Sequence, residues 1–546
     1  ESKNGLAELN QAFKKAMDAV LTSGRDCDLV CEDSIVEMSE VKDGKLTVGQ
    51  MTYSTLVVPP SITWRPTTFE MLKSFIASGG KVLFIGKAPV ELDGEPAVED
   101  WKKLTDNKNV KTVPSATIQI QEAIDTMAPQ DFILRDLDGN FVANTYLQHR
   151  KVDDTDIFFI VNTDRHRAGE YVLDFPGRIE GNLIEWDAAS GKVNPCMSVD
   201  EEARFTISIP ACGSVILTME SGDPCADREE EPEFDSGTEM LPETFEFKRS
   251  DPNVLVLDRI QVSYDGGKTF EAEDLEFRVR RSIANHFGTT SSLGWQPWVA
   301  IRKKLYDDKG GPIVIRYKFE SDLAAPKAYA VIEDIQKGKL FINGTEVNTT
   351  TDMWQWDRGF GKVELGEHIV KGKNILDFYV DYNFLTEVET AYIVGDFGVE
   401  LIDPYYGKIV EEPKVLKTGS WVNQGFPFYS GKMTYKTTFE SVGENALLQL
   451  RRPSGILFNV KVNGKQAGSI LWRPYELDIS KFIKEGENTL EIEVVSSLQN
   501  SFGPLHEING DDNMWCGPNA FDEELFIREE FSLFDYGLIG GGEILQ

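Results

Sequence analysis

Three places along the chain set large aromatic rings beside groups that form hydrogen bonds. Trp354 and Trp356 flank Gln355, with Asp357 and Arg358 next in line. Trp472 stands directly before Arg473, and Trp421 is followed by Phe428 and Tyr429. An indole or phenol face covers the apolar face of a pyranose, and polar side chains at the rim fix its hydroxyls. Trp354, Trp356, Asp357, Arg358, Trp421, Tyr429, Trp472 and Arg473 are therefore the candidate carbohydrate-binding residues. The competing reading places these rings in β-sandwich cores or at module seams, where large aromatics concentrate.

Other chemistries find less support. Glycosidic bond cleavage needs two facing carboxyl groups, but with 90 Asp and Glu residues composition cannot select a pair. His149, His166, His286, His368 and His506 form no ligand-spaced cluster. Cys27 and Cys31 have no second pair nearby for a zinc site, and Cys196, Cys212, Cys225 and Cys516 are scattered. The six read as buried free thiols, with one disulfide left open. Asp153, Asp154 and Asp156 lack the Gly and terminal Glu of an EF-hand loop and read as a solvated turn. Gly79, Gly80 and Gly86 sit in no phosphate-binding pattern and read as element terminators. Asn343-Gly344-Thr345 and Asn348-Thr349-Thr350 match glycosylation sequons and mark surface turns.

A net charge of −34 repels phosphate backbones and argues against a nucleic-acid partner. No apolar run approaches the ~20 residues of a membrane helix. The chain opens with Glu1-Ser2-Lys3, without an initiator Met or a signal peptide. It reads as a fragment or a processed product. Its compartment stays open: periplasmic, extracellular or cytoplasmic in a bacterium.

The elements that position these residues are mostly strands, and 546 residues predict three to five domains. Residues 1–22 place Leu6, Leu9, Phe13, Met17, Val20 and Leu21 on one helix face. Thr55–Pro60 and Lys81–Gly86 read as buried parallel strands joined by a helix bearing Phe69, Leu72, Phe75 and Ile76. Residues 1–113 thus read as a small α/β domain. Residues 114–220 hold short β runs at sandwich spacing, and 221–249 is an acidic, Pro-containing linker. Residues 250–404 and 405–546 read as two tandem β-sandwiches. Both contain an Asn-Gly hairpin turn, Asn343-Gly344 and Asn463-Gly464, and a later Gly-x-Asn turn, Gly372–Asn374 and Gly486–Asn488. Ile283–Trp298 reads as an excursion from the first sandwich, with Trp295 and Trp298 packed on it.

Several motifs carry a family resemblance. VNGKQAG…LWRPYELDIS…IKEGENTLEIEV, between Val462 and Val494, resembles the galactose-binding-like jelly rolls attached to bacterial glycoside hydrolases. It is similar to the C-terminal part of glycoside hydrolase family 106, the α-L-rhamnosidases. LQHRKVDDTDIFFIVN at 147–162, Trp186-Asp187…Gly191 and GSWVNQGFPFYSG at 419–431 resemble segments of the same proteins. So does NSFGPLHEINGDDNMWCG at 500–517, where Leu505 replaces the first His of a pair and only His506 remains. Residues 1–113 resemble the glutamine-amidotransferase-like domain that follows the catalytic barrel in several glycosidases. Gly86-Lys87-Ala88-Pro89 offers no nucleophile where the active amidotransferases carry one.

The resemblance implies a mostly β, multidomain chain: an α/β scaffold, a small β domain and two jelly rolls. It implies rhamnose- or galactose-containing glycans as partners, with an upstream catalytic barrel in cis or on another chain. The family's catalytic acids lie on that barrel, and no (β/α)₈ pattern occurs here, so no catalytic residue is carried over. A structural calcium ion is the one cofactor the resemblance leaves room for, with no ligands named. The expected function is the non-catalytic C-terminal part of a bacterial glycoside hydrolase in polysaccharide breakdown. The alternatives are a stand-alone carbohydrate-binding or assembly protein, or an enzyme with an unrecognised interdomain site.

Overall fold

The computed structural model describes residues 3–130, 132–176, 181–188, 191, 193–198, 204–220, 234, 237–289, 302, 309–508 and 527–546. It divides into a unit of residues 1–231 with Trp472–Pro474, and a unit of the remaining residues from Pro232 onward. Most elements are strands.

In the first unit, Thr55–Val58, Lys81–Ile85 and Val110–Val113 form a parallel sheet. Helices cover both of its faces. Phe69, Leu72, Phe75 and Ile76 from Pro66–Ala77 pack on one side, with Trp101 and Leu104 from Val98–Thr105. Ala16, Ala19 and Val20 of the first helix pack on the other, with Ile120, Ala123 and Ile124 of Thr117–Met127. Double coverage explains why Val82–Ile85 is apolar without alternation. Of the expected face of the helix Lys3–Leu21, Val20 is buried, Leu9, Met17 and Leu21 are half-buried, and the side chain of Leu6 lies outside the described residues. Phe13 is exposed, and the small side chains of Ala16 and Ala19 allow the close approach to Thr117–Met127. That second helix carries the α/β layers past residue 113.

The chain then builds a small sandwich. One sheet holds Ile133–Asp136, Gly169–Asp174 and Arg204–Ile209. The other holds Thr145–Val152, Thr155–Asn162, Ser214–Glu220, Asn182–Trp186 and Val193–Ser198. The histidine and aspartate of the 147–162 segment meet across their hairpin, with His149 Nε2 3.0 Å from Asp156 Oδ1. Cys27, Cys31 and Cys212 are free but exposed, which corrects the buried expectation for these three. Cys225 and Cys516 lie outside the described residues, as do the side chain of Cys196 and residues 290–300 with Trp295 and Trp298.

The second unit contains two antiparallel sandwiches with the same strand order. In the first, one sheet runs Arg259–Ser263, Gly311–Ser321, Gly372–Tyr382, Lys339–Ile342, Thr345–Val347. In the second, the matching order is Thr244–Arg249, Lys432–Ser441, Gly486–Val495, Leu457–Val462, Lys465–Ile470. The facing sheets also correspond. Asn253–Leu257, Ala391–Gly395, Ala328–Glu333 and Asp357–Glu364 match Thr238–Met240, Gly542–Leu545, Leu447–Leu450 and Glu476–Asp478. The sandwiches are nested rather than tandem. Thr238–Met240 pairs with Gly542–Leu545, and Thr244–Arg249 pairs with Lys432–Ser441. The later part of the expected 221–249 linker therefore forms two strands of the second sandwich, and the first sandwich is inserted after them.

Both Asn-Gly turns have positive φ at both residues, 51° and 83° in the first and 52° and 75° in the second. An asparagine pair fixes each turn. Asn343 Nδ2 donates to Asn374 Oδ1 at 2.9 Å, and Asn463 Nδ2 to Asn488 Oδ1 at 2.7 Å. Asn374 and Asn488 are fully buried, and each donates to two backbone carbonyls of its own Gly-x-Asn turn. Truncation would strand those buried groups. Asn488→Ala is expected to cost roughly 2–3 kcal/mol in urea unfolding. A loss under about 0.5 kcal/mol would show that the pair does not hold the turn.

Candidate functional site

The second unit encloses a pocket of about 610 Å³ built by both sandwiches. The helix Glu276–Phe287 gives Glu276, Phe277 and Arg280. Strands of the first sandwich give Glu333, Asp357, Phe360 and Tyr392, and the segment before the last of these gives Glu389 and Thr390. The second sandwich closes the pocket with Ser501–Glu507, which follow the long strand Gly486–Val495.

Charged contacts bind the walls together. Arg259 Nη2 and Arg278 Nη1 each donate to Glu529, at 2.6 and 2.7 Å. These charge-assisted bonds, with Arg259's the larger effect, hold the Glu529 carboxyl down at about 2. They tie the segment of Ile527 and Arg528 to the first sandwich. His506 Nε2 lies 2.9 Å from Asp258 Oδ2, and Glu276 N donates to the Asp258 carbonyl at 2.8 Å. His506 of the Pro-Leu-His segment thus binds across the two sandwiches.

One wall is aromatic. Trp356 meets Tyr392 edge-on at 4.9 Å and lies 5.9 Å from Phe502. Phe360 meets Phe502 edge-on at 5.1 Å, and the Tyr392 and Phe502 rings are nearly parallel at 6.2 Å. Trp356 has φ +61°, rare for a bulky residue and a mark of local strain. It occupies the tip between Trp354–Gln355 and Asp357–Glu364, where Gln355 pairs with Asp357.

The rest of the lining is acidic, and part of it adjoins the rings, since Glu333 pairs across the strands with Phe360. Arg280, 4% exposed, donates from Nη1 to Glu389 Oε1 at 2.7 Å and lies 3.9 Å from Glu276 Oε2 through Nη2. Burial raises the Glu389 and Glu387 carboxyls, and Arg280 opposes this only in part. Glu333 is pushed up to about 7, chiefly by burial and then by Glu389, Glu387, Asp334 and Asp357. A folded-state value above the unfolded one means that the native state holds this proton longer. Stability should therefore be full below about pH 4.5 and fall as pH rises toward 7. With solvent screening the loss from this group is about 2 kcal/mol. Glu333→Gln should flatten that part of the pH–stability curve in chemical denaturation. An unchanged slope would contradict the assignment.

The eight sequence candidates separate clearly. Asp357 lines the pocket, and Trp356 backs its aromatic wall. Trp354 and Arg358 are exposed beside them but are not among the lining residues. Trp421 and Tyr429 cannot meet a ligand. Both are fully buried in the second sandwich core, where Trp421 packs on Tyr429 and Tyr536 at 5.8 and 5.7 Å. Trp472 and Arg473 lie on the turn after Lys465–Ile470, outside the pocket. Sequence reasoning missed Glu276, Arg280, Glu333, Glu389, Tyr392 and Phe502. Only the Gly-Pro-Leu-His segment gave a signal nearby.

Among the described residues, no group of three or more His, Cys, Asp or Glu is placed to hold a metal ion, so no calcium ligands are assigned. No described helix is long and apolar enough to cross a membrane.

Comparison with known proteins places the first unit. Residues 6–199 match the family model of glycoside hydrolase family 106, alpha-L-rhamnosidase. A Formosa agariphila protein named "Putative beta-glucuronidase" is 23% identical over 595 residues, covering 91% of this chain and 49% of that protein. The chain thus spans about half the length of the curated relative it matches. A rhamnosidase structure from Novosphingobium sp. PP1Y covers 95% of this chain and 36% of its own, at 16% identity and a TM-score of 0.40. A Streptomyces avermitilis alpha-L-rhamnosidase complexed with L-rhamnose covers 66% of this chain and 36% of its own, at 11% identity and a TM-score of 0.21.

Proposed function

We propose that this chain is the non-catalytic C-terminal portion of a bacterial α-L-rhamnosidase-like glycoside hydrolase that degrades complex polysaccharides. In this reading the first unit is a scaffold, and the second holds a sugar unit in its pocket. The catalytic barrel lies outside the chain, in cis or on another polypeptide. The observation that carries the reading is the pocket's composition, with Phe360, Tyr392 and Phe502 lining it together with hydrogen-bonding side chains. Its volume suits one or two sugar rings, and sugar sites combine such apolar faces with a few fixed polar groups.

The test joins a binding measurement to an activity assay. The chain is expected to bind rhamnose- or galactose-containing oligosaccharides and to leave nitrophenyl α-L-rhamnoside uncleaved. Phe502→Ala should weaken binding roughly tenfold, the scale of losing one central aromatic contact. Trp354→Ala and Trp472→Ala should leave the affinity within about twofold, since neither ring lines the pocket. No binding to any glycan would end the proposal.

A second reading makes the pocket itself catalytic. Glu333, held at about 7 beside Glu389, has the character of a general acid among carboxylates. Turnover of a nitrophenyl glycoside by this chain, abolished by Glu333→Gln, would favour that reading over the first.

A further inference from the structure

The pocket carries more carboxyl groups than its bases occupy. Asp258 is engaged by His506 and Glu389 by Arg280. Glu276 lies 3.9 Å from Arg280. Among the described residues, Glu333, Asp357 and Glu507 line the same pocket without a salt bridge. Glu507 is the most informative of the three. It is 6% exposed, and its Oε1 is buried with no hydrogen-bond partner among the described residues. Burial raises its carboxyl. A buried carboxyl oxygen without a partner is costly, and a ligand that donates to it removes that cost.

These acids come from two paired strands of the first sandwich and from the second sandwich. Glu333 ends the strand Ala328–Glu333, Asp357 begins Asp357–Glu364, and Glu507 belongs to the second sandwich. Their convergence in the cavity that Phe360, Tyr392 and Phe502 also line, with Glu333 paired across the strands to Phe360, is a built feature rather than a surface cluster. A ring packed on these aromatics would have its substituents within reach of the neighbouring acids. An anionic substituent there meets like charge, and a cationic one meets unoccupied acceptors.

We infer that the pocket is a subsite for a sugar bearing a free amino group and that it rejects uronic acids. The inference rests on the proposed sugar-binding role of the pocket. An ammonium seated among Glu333, Asp357 and Glu507 would drive off the protons that burial keeps on the raised carboxyls. The charged groups facing Glu333 are Asp334 at the end of its own strand, Asp357 on the neighbouring strand, and Glu387 and Glu389 before Ala391–Gly395. Arg280, on the helix, is already bonded to Glu389. Amino-sugar binding should therefore release protons.

The test is calorimetric titration at pH 7 in two buffers of different ionisation enthalpy. Four methyl glycosides are compared in both the gluco and the galacto series: the 2-amino, 2-acetamido, 2-hydroxy and uronic acid forms. Methyl α-L-rhamnoside is included as a further neutral sugar. The amino form is expected to bind roughly tenfold more tightly than the acetamido form, as for one charge-assisted hydrogen bond. It should also release protons, whereas the uronate should not bind measurably. Glu507→Gln and Glu333→Gln, checked for an unchanged circular dichroism spectrum, should each reduce the preference and the proton release. Equal affinities for the amino, acetamido and hydroxy forms, or tight uronate binding, would overturn this inference and leave the sugar-binding role standing. No binding by any of these sugars would overturn both.

Discussion

Replacing Arg280 by methionine should lower the stability of the second unit by roughly 3 kcal/mol at neutral pH. Arg280 is almost fully buried and bonded to Glu389 at 2.7 Å. It also lies 3.9 Å from Glu276. Burial already pushes Glu389 upward against the attraction of this guanidinium. Without Arg280, Glu389 has to take a proton or stay charged in a poor medium. The loss should therefore shrink as pH falls toward 5, where protonation relieves it. Arg280→Met combined with Glu389→Gln should recover at least half of the loss, because the stranded charge is removed as well. Denaturant titrations at pH 5 and pH 8 measure both effects. A loss of equal size at the two pH values would show that Arg280 acts through packing and not through charge.

Trp356 gives the second large effect. Its ring packs on Tyr392 from the first sandwich and on Phe502 from the second, so truncation removes contacts in both. Trp356→Ala should cost roughly 2–3 kcal/mol, below the value for a fully buried tryptophan because this one is only partly covered. It should also weaken glycan binding by loosening the wall that Tyr392 and Phe502 form. The backbone adds a distinguishing signature. At φ +61° an alanine keeps the strain of the tryptophan and a glycine does not. Trp356→Gly should therefore be more stable than Trp356→Ala by about 1 kcal/mol. Inside an ordinary strand the order would be reversed. Thermal unfolding of the two variants side by side decides the point.

These two residues also show how far the sequence could be read. The α/β sheet, the small β region and the repeated sandwich plan were legible because their signals are local. Uninterrupted apolar strands, Asn-Gly turns and Gly-x-Asn turns act over a few residues, and the asparagine pairs turned the last two into one hydrogen-bonded device. The nesting was not legible. Nothing near Thr244 indicates that it pairs with Lys417, far along the chain. Composition made 221–249 look like a linker, since charge and proline outweigh two short strands. The first helix misled at Phe13 for another reason: periodicity favours large apolar residues, whereas close helix packing selected Ala16 and Ala19.

The site was legible only at Trp356 and Asp357. Aromatic residues alone do not separate a core from a rim, and Trp421 fills a core with the same ring that Trp356 uses at a wall. The acids of the pocket are spread from Asp258 to Glu507, and each is one of many in an acidic chain. Only the fold selects them, by bringing them to one pocket with Arg280. His506 stood out in the sequence through its Gly-Pro-Leu-His setting, but its partner Asp258 lies in the other sandwich.

A crystal structure of the chain grown with its tightest-binding glycan tests the central claim most directly. A sugar ring should be seated against Phe360, Tyr392 and Phe502, with its polar substituents toward Glu333 and Glu507. A glycan bound at the Trp472–Arg473 turn, with the pocket left empty, would contradict it.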